Sequence, residues 1–134
     1  MKIYVAGPYS DRDPIVRERN VEQAMAAGLA LLDAGHFPFI PHLSHFFDEW
    51  ARRQGRVIPY GTYLRWDAAF LTCCDGLLYL DSSPGADREL ELAVRLGKSV
   101  SSRFLAASSQ THVPDPIQSR TVTPCHEMSH LTPR

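Results

Sequence analysis

The sequence predicts an α/β protein, in which flanking helices cover an open, doubly wound parallel sheet of four to five strands. Short strand-like runs alternate along the chain with longer segments of helical periodicity, in the order β-α-β-α-α-β-α-β. The run from Gly76 to Leu80 is apolar throughout, which is typical of a strand buried on both faces of a parallel sheet. Because parallel strands need a long crossover connection, the helices between the runs fit this arrangement.

Turn residues and apolar spacing set the predicted ends of each element. The first strand stops at the Gly-Pro pair at positions 7 and 8, and Gly35 and Gly97 close the first and last helices. Pro38 lies within the second strand and places it at a sheet edge, because proline cannot donate a ladder hydrogen bond. The predicted strands are 2–6, 36–40, 76–80 and 99–104, and the predicted helices are 20–34, 43–53, 60–73 and 84–96.

Doubly wound sheets, which include the Rossmann-like and flavodoxin-like folds, bind ligands in a crevice at the carboxyl ends of their strands. Tyr9 and Ser10 follow the first strand, and we expect them to line the phosphate end of this crevice. His42 and His45 follow the second strand. We expect them to contact substrate or to cap the next helix, because a metal pair lacks a third ligand at suitable spacing. The segments that border the predicted crevice are 6–11, 41–45 and 81–89.

Composition argues against several classes of protein. The 134 residues suffice for one domain, and 14 basic against 15 acidic side chains leave no broad basic surface for a nucleic acid polymer. No apolar run approaches the about 18 residues of a membrane span, and the first residues lack the pattern of a signal peptide. Three cysteines, two of them adjacent, indicate the reduced thiols of a cytoplasmic protein. We expect Cys73 and Cys74 to lie in the core.

The chain divides near residue 105. The predicted α/β domain covers 1–105, whereas 106–134 contains four of the ten prolines, none of the eight glycines and only isolated apolar residues. A segment without periodicity cannot bury enough surface to offset its ordering entropy, so 106–134 is predicted to be disordered. Residues 126–130 match the zinc motif H-E-x-x-H. That motif binds zinc only on a helix with a further ligand, so we expect no metal centre there.

One aspartate lies in the middle of an apolar helix face. Positions 63, 67, 70 and 74 share a face of the third predicted helix, and all except Asp67 are apolar or aromatic. A carboxylate at such a position is costly unless it is paired or faces a cavity. Two interpretations stay open: a structural aspartate paired with Arg65 or Arg17, or a functional carboxylate in a cleft. Asp75, just before the buried strand, is interpreted as structural.

The last predicted helix begins directly after the buried strand. Ser83 is a good N-cap, and Pro84 suits the first helical position. The free N–H groups of this turn point into the crevice and favour an anion such as phosphate. Because Glu89 lies near the helix start, we expect it to stay ionised, as a nucleophile requires. The alternative is ordinary helix capping next to a surface glutamate.

Several segments together resemble the nucleoside 2-deoxyribosyltransferase-like superfamily, and most of all its small bacterial and phage branch. The characterised members are nucleoside 2-deoxyribosyltransferases and 2-deoxynucleoside 5-phosphate N-hydrolases. The most specific part is the pattern Ser-x-Gly-x-x-x-Glu-Leu-x-x-Ala at 83–93, and the resemblance covers residues 1 to about 100. The segments that carry it are IYVAGPYS, PFIPHLSHF, Asp67 with Asp75, SPGADRELELA and LGKSV.

The resemblance implies a role for each matching residue. Glu89 matches the nucleophile that attacks C1′ of the sugar, and Tyr4 matches the tyrosine that holds this carboxylate. Asp67 matches the aspartate that contacts or protonates the nucleobase. Ser83 matches the serine that binds the 5′-phosphate in the N-hydrolases, where the transferases tend to carry an aspartate. A nucleotide substrate is therefore implied.

The implied function is cleavage of the N-glycosidic bond of a (deoxy)nucleoside 5′-monophosphate, by hydrolysis or by sugar transfer, without metal or cofactor. One carboxylate stabilises the oxocarbenium-like sugar, and a second, protonated carboxyl helps the base leave. Gly7 and Gly85 would let the backbone approach this ligand.

The family also implies at least a homodimer, in which residues near the C-terminus of one subunit complete the active site of its neighbour. The corresponding region of this chain is the polar segment after Phe104, which does not align with the family. A non-catalytic nucleotide-binding or sensing module, or a degenerate paralogue with an altered C-terminus, therefore stays an alternative.

Overall fold

A computed structural model describes residues 1–102 of the chain. The predicted disorder of 106–134, the H-E-x-x-H motif, Cys125 and the last residues of the predicted fourth strand lie outside the described residues. The strands are β1 (Lys2–Ala6), β2 (Phe37–Phe39), β3 (Gly76–Tyr79) and β4 (Ser99–Ser101). The helices are α1 (Pro14–Asp33), α2 (Ser44–Arg53), α3 (Tyr60–Cys73) and α4 (Pro84–Arg95), and a 3-10 turn (Pro41–Leu43) precedes α2.

The strands form one parallel sheet in the order β2-β1-β3-β4, which confirms the predicted open α/β fold. β2 lies at an edge, as Pro38 indicated. The chain passes from β1 to β2 on one side of the sheet and later places β3 on the other side of β1. Strand order therefore reverses between β1 and β3, and this switch point is where doubly wound sheets open their ligand crevice.

Side chains of β1 alternate between two apolar cores. Ile3 and Val5 belong to the core beneath α1, whereas Tyr4 and Ala6 belong to the core beneath α3 and α4. All four side chains are buried, as expected for a central parallel strand. The alternation carries Tyr4 to the side of the sheet on which α4, the helix of Glu89, packs.

The first helix begins earlier than the sequence pattern indicates. α1 begins at Pro14, not at residue 20, because the Asp13 side chain accepts a hydrogen bond from the Ile15 N–H at 2.9 Å and caps the helix. The first turns of α1 are mostly exposed and show no apolar periodicity. The other helices and the first three strands agree with the prediction to within one residue at each end, whereas β4 ends at Ser101.

The adjacent cysteines at the end of α3 differ in burial. Cys74 lies in the core as predicted, and burial raises the pKa of its thiol, but Cys73 is exposed, so the prediction for Cys73 is wrong. The last turn of α3 directs adjacent side chains to different sides, and only one of them meets the sheet. Within residues 1–102, no helix is long and apolar enough to cross a membrane.

Candidate active site

The start of α4 is fixed by a side-chain cap. The Ser83 hydroxyl oxygen accepts a hydrogen bond from the Ala86 N–H at 3.1 Å, and Pro84 occupies the first helical position. Both features confirm the predicted N-terminus of this helix. Because the cap sets where α4 begins, it also sets which residues of the helix face β1.

Glu89 is the α4 residue that is hydrogen-bonded to β1. The Tyr4 hydroxyl donates to Glu89 Oε1 at 2.7 Å. Tyr4 is 0% exposed, and its ring also packs against Phe39 of the neighbouring strand, with ring centroids 5.5 Å apart. The tyrosine is thus immobilised by the core, and it holds one oxygen of the Glu89 carboxyl in a defined place.

Asp67 has no ion pair among the residues that the structure describes. The suggested pairing with Arg65 or Arg17 is wrong for these residues: Arg65 donates to the Thr62 hydroxyl, and Arg17 donates to the carbonyl of Asp11. Asp67 instead lines the cavity that Glu89 also lines. The structure therefore favours the second interpretation of the sequence, a carboxylate that faces a cleft.

The cavity lies between α3 and α4 and has a volume of about 310 Å³. This volume is at the lower end of the range for small-molecule sites. Most of its wall is apolar surface, and three carboxyls and two guanidinium groups also line it. The lining residues are Leu64, Asp67, Ala68, Leu71, Gly85, Arg88, Glu89, Glu91, Leu92 and Arg95.

Two of the cavity carboxyls, Glu89 and Asp67, have pKa values above the ordinary values of these acids. Burial raises the pKa of Glu89 to about 7; the hydrogen bond from Tyr4 lowers it, and the negative charge of Asp67 raises it. Burial also raises the pKa of Asp67 to about 6. The expectation that Glu89 stays fully ionised is therefore wrong, because its desolvation outweighs the effect of the nearby helix N-terminus.

The raised pKa values leave one of the two carboxyls protonated and the other ionised near neutral pH. Between about pH 6 and 7, Glu89 and Asp67 together hold about one proton, and this proton belongs to the pair rather than to one residue. Burial and both carboxylates raise the pKa of the Tyr4 phenol, so Tyr4 stays a hydrogen-bond donor. One ionised and one protonated carboxyl in one cavity can act as nucleophile and general acid.

Asp87 is a residue of this region that sequence reasoning missed. The Tyr79 hydroxyl donates to Asp87 Oδ1 at 2.6 Å, the Ser82 hydroxyl donates to Oδ2 at 2.9 Å, and these bonds lower the pKa of the carboxyl. An acidic residue in the first turn of a helix was the signal available in the sequence. The same turn therefore carries a negative charge beside the N–H groups that were expected to take a phosphate.

The two predicted glycines differ in what surrounds them. A side chain at Gly85 would meet nothing within 4 Å, and the residue lines the cavity, so its backbone is open to a ligand. A Cβ at Gly7 would lie 3.1 Å from the Leu80 side chain, so this glycine allows close packing between the loops after β1 and β3. Gly7 thus has a packing role at the crevice, between the two loops.

The remaining predicted binding residues lie on the β1–β2 side of the crevice. His42 is buried, and its Nε2 lies 3.2 Å from the Gly7 carbonyl oxygen and 3.0 Å from that of Pro8. The Tyr9 hydroxyl lies 3.0 Å from Nδ1 of His45. Ser10 is exposed and has no hydrogen-bonded side-chain partner within the described range. Neither Tyr9 nor His42 lines the cavity between α3 and α4.

Asp75 has the structural role predicted for it. Its carboxylate accepts a hydrogen bond from the Lys2 N–H at 2.7 Å, while the Asp75 N–H donates to the Lys2 carbonyl at 2.8 Å. These two bonds secure the start of β1 against the residue that precedes β3.

Within residues 1–102, no three His, Cys, Asp or Glu side chains are grouped closely enough to hold a metal ion. Comparison of the chain with models of known protein families and with curated proteins gives no match.

Replacing Asp67 by asparagine is expected to raise the free energy of unfolding at pH 8 by about 1 kcal/mol. The pKa of the folded carboxyl, about 6, lies above its ordinary value of 3.8, so its protonation favours the folded state below pH 3.8. This contribution is lost as the pH rises to about 6. Asparagine carries no charge at either pH, so the advantage of the variant appears at pH 8 and vanishes near pH 4. Urea unfolding at the two pH values measures the difference.

The matched control is Asp33→Asn, at the exposed end of α1, which is expected to change the free energy of unfolding by less than about 0.5 kcal/mol. A variant Asp67→Asn that is less stable than wild type at pH 8 would show that the carboxylate is held by a favourable partner.

Proposed function

We propose that the protein cleaves the N-glycosidic bond of a (deoxy)nucleoside 5′-monophosphate and belongs to the nucleoside 2-deoxyribosyltransferase-like superfamily. Glu89 is the nucleophile, Tyr4 holds it, and Asp67 is the general acid. The single observation that carries this proposal is the 2.7 Å hydrogen bond from the buried Tyr4 hydroxyl to Glu89, beside a second carboxyl in the same cavity. A sugar C1′ between the two carboxyls meets both groups that the reaction needs.

In the first step, a Glu89 oxygen attacks C1′ and forms an ester bond with the sugar. The C1′–N bond breaks, its electron pair leaves with the base, and the proton of Asp67 neutralises the departing nitrogen. The step requires Glu89 to be ionised while Asp67 is protonated. Because the pKa values of the two carboxyls lie close together, the shared proton can move to Asp67 and leave Glu89 ionised.

In the second step, an acceptor attacks C1′ and releases Glu89 as a carboxylate. The Asp67 carboxylate takes the proton of the acceptor, as microscopic reversibility requires. Water as acceptor gives hydrolysis, and a second nucleobase gives transfer. Both outcomes use the same two carboxyls, and the proposal covers both.

The phosphate of the substrate is assigned to the start of α4. The Ser83 hydroxyl oxygen accepts a hydrogen bond from the Ala86 N–H, so the hydroxyl proton of Ser83 is free to donate to a phosphate. The Gly85 N–H is a second donor, because N–H groups in the first turn of a helix have no partner within the helix. The Asp87 carboxylate beside this turn opposes an anion, so the phosphate contact is weaker than a helix start alone would supply.

A second copy of the chain is the proposed protein partner. Trp50 of α2 and Trp66 of α3 are 52% and 40% exposed, and both rings pack against Phe47, so the aromatic side chains form one surface cluster. Apolar clusters of this kind mark interfaces more often than free surface. Leu64, two residues before Trp66 on α3, lines the cavity, so the cluster and the cavity share this helix.

The charges of α2 favour a second copy over an unrelated partner. Asp48 and Glu49 lie near its middle, and Arg52 and Arg53 lie at its C-terminal end. A twofold axis perpendicular to α2 would make the helices of two copies antiparallel, so the acidic residues of one would lie against the arginines of the other. The helix is thus self-complementary in charge around the exposed Trp50.

Glu89→Gln is expected to lower the release of free base by about a thousandfold or more, because the amide removes the nucleophile but keeps the shape of the side chain. The full chain is incubated with each of the four common 2′-deoxynucleoside 5′-monophosphates, and free base is quantified by chromatography. A second nucleobase in the same reaction separates transfer from hydrolysis.

Glu22→Gln, an exposed substitution on α1, is the matched control and is expected to keep the wild-type rate. Nucleotide binding without base release by the wild-type protein would refute catalysis and indicate a binding module. Absence of nucleotide binding would refute the proposed function altogether.

The pH dependence of kcat/KM is expected to be bell-shaped, with its maximum between about pH 6 and 7. Below this range both carboxyls are protonated and the nucleophile is lost; above it both are ionised and the general acid is lost. A phosphate monoester itself titrates near pH 6, so the profile is repeated with Asp67→Asn. In that slower variant the fall at high pH disappears, whereas an unchanged fall would assign it to another group.

Trp50→Ser is expected to weaken self-association by at least about tenfold, because buried tryptophans dominate the energy of protein interfaces. Analytical ultracentrifugation over a concentration series measures the dissociation constant of the wild-type and variant proteins. The control is Val57→Ser, which changes an apolar side chain that is 71% exposed in the loop after α2. A wild-type protein that stays monomeric at all concentrations would contradict the proposed homodimer.

A further inference from the structure

The loop that follows β1 is held by side chains from three different elements. Asn20 of α1 donates to the carbonyl oxygen of Tyr9 at 3.2 Å. His42 of the 3-10 turn contacts the carbonyl oxygens of the two residues before Tyr9. His45 of α2 is hydrogen-bonded to the Tyr9 hydroxyl at 3.0 Å. Both the backbone and the side chain of Tyr9 are therefore fixed before any ligand arrives.

His42, which holds this loop, has a buried ring nitrogen without a hydrogen-bond partner within residues 1–102, and this lowers the stability of the fold. The residue is only 4% exposed, and its Nδ1 has no hydrogen-bond partner among the described residues. Burial lowers the pKa of His42, so the ring is neutral, with Nε2 donating to the carbonyls and Nδ1 left as an unpaired acceptor. A buried unpaired acceptor is destabilising. The loop held in this way follows β1, whose carboxyl end borders the switch point of the sheet, where doubly wound sheets bind ligands.

Glu49 sets the direction of the hydrogen bonds that reach Tyr9. Nε2 of His45 lies 3.2 Å from Glu49 Oε1, and an ionised carboxylate can only accept, so Nε2 donates. In the neutral ring Nδ1 then accepts, and the Tyr9 hydroxyl must donate to it. Burial raises the pKa of Tyr9 and keeps the phenol protonated. The lone pairs of its oxygen are thus left to accept from a further group.

We propose that Tyr9 is a ligand-binding residue that accepts a hydrogen bond from a hydroxyl or amine of the bound nucleotide, with His45 and Glu49 as positioning residues that fix this polarity. The identity of the ligand rests on the proposed function. A phosphate dianion has no donor to offer, so above about pH 6 this contact takes the sugar or the base. The proposal thus differs from the expectation from sequence that Tyr9 lines the phosphate end of the crevice.

The polarity of this hydrogen-bond chain is tested first on the free protein, independently of any nucleotide. Nitrogen NMR of histidine-labelled protein across a pH titration identifies which ring nitrogen of neutral His45 carries the proton. We expect the proton on Nε2 in the wild-type protein and a mixture of both tautomers in Glu49→Gln, where the amide can also donate. A proton on Nδ1 in the wild type would overturn the proposal.

The ligand contact is then tested by binding of 2′-deoxyadenosine 5′-monophosphate, measured by calorimetry. Tyr9→Phe is expected to raise the Kd by up to about tenfold, the effect of one neutral hydrogen bond. Glu49→Gln is expected to raise it less, and to have no further effect in the Tyr9→Phe background, because Glu49 acts through Tyr9. Additive effects would overturn the positioning role, since they would show that Glu49 acts by another route.

Tyr63→Phe is the matched control, because the Tyr63 hydroxyl also bonds to an α2 side chain, Asp48, at 2.9 Å. It is expected to leave the Kd unchanged. An unchanged Kd in Tyr9→Phe would overturn this inference while the proposed function stands. Binding that responds to Tyr9→Phe without any release of free base would overturn the proposed function and leave this inference in place. No binding by the wild-type protein would overturn both.

Discussion

The hydrogen bond from Tyr4 to Glu89 joins β1, a central strand of the sheet, to α4, the helix that follows β3 and packs on the same sheet. Tyr4 is fully buried, so without Glu89 its hydroxyl would be an unpaired polar group in the core. The core in turn prevents the tyrosine from following Glu89 into solvent. Neither residue can move alone, and the position of one carboxyl oxygen is therefore fixed by the packing of the whole sheet.

Burial explains why the site carries two acids with raised pKa values, and the hydrogen bond from Tyr4 opposes it at Glu89. Glu89 is drawn toward the core by Tyr4, and Asp67 lies on the α3 face that closes the same cavity. Burial holds protons on both, with pKa values of about 7 and about 6. Ionisation of either carboxyl lowers the free energy of unfolding, because both pKa values are raised in the folded state. The protein is therefore less stable near neutral pH than it would be without this pair, which shares one proton there.

Apolar periodicity and turn residues were enough to predict the parallel sheet, the strand at the edge and the cap at Ser83, because these depend on local sequence. The start of α1 was missed because its first turns are exposed and have no apolar pattern, so only the Asp13 cap and Pro14 at the first helical position mark the boundary. The ionisation of Glu89 was mispredicted because desolvation depends on tertiary packing. The bonds of Asp87, and of His45 with Tyr9, join side chains from separate elements, and no spacing rule reveals such partners.

The most direct test of the account is the covalent state of Glu89 during turnover. Wild-type protein is mixed with a 2′-deoxynucleoside 5′-monophosphate, quenched in acid within one turnover and digested for mass spectrometry. If Glu89 is the nucleophile, a sugar phosphate ester is expected on the peptide that contains Glu89, formed together with one equivalent of free base, and no adduct is expected in Glu89→Gln. Release of base by Glu89→Gln at the wild-type rate, or an adduct on another residue, would contradict it.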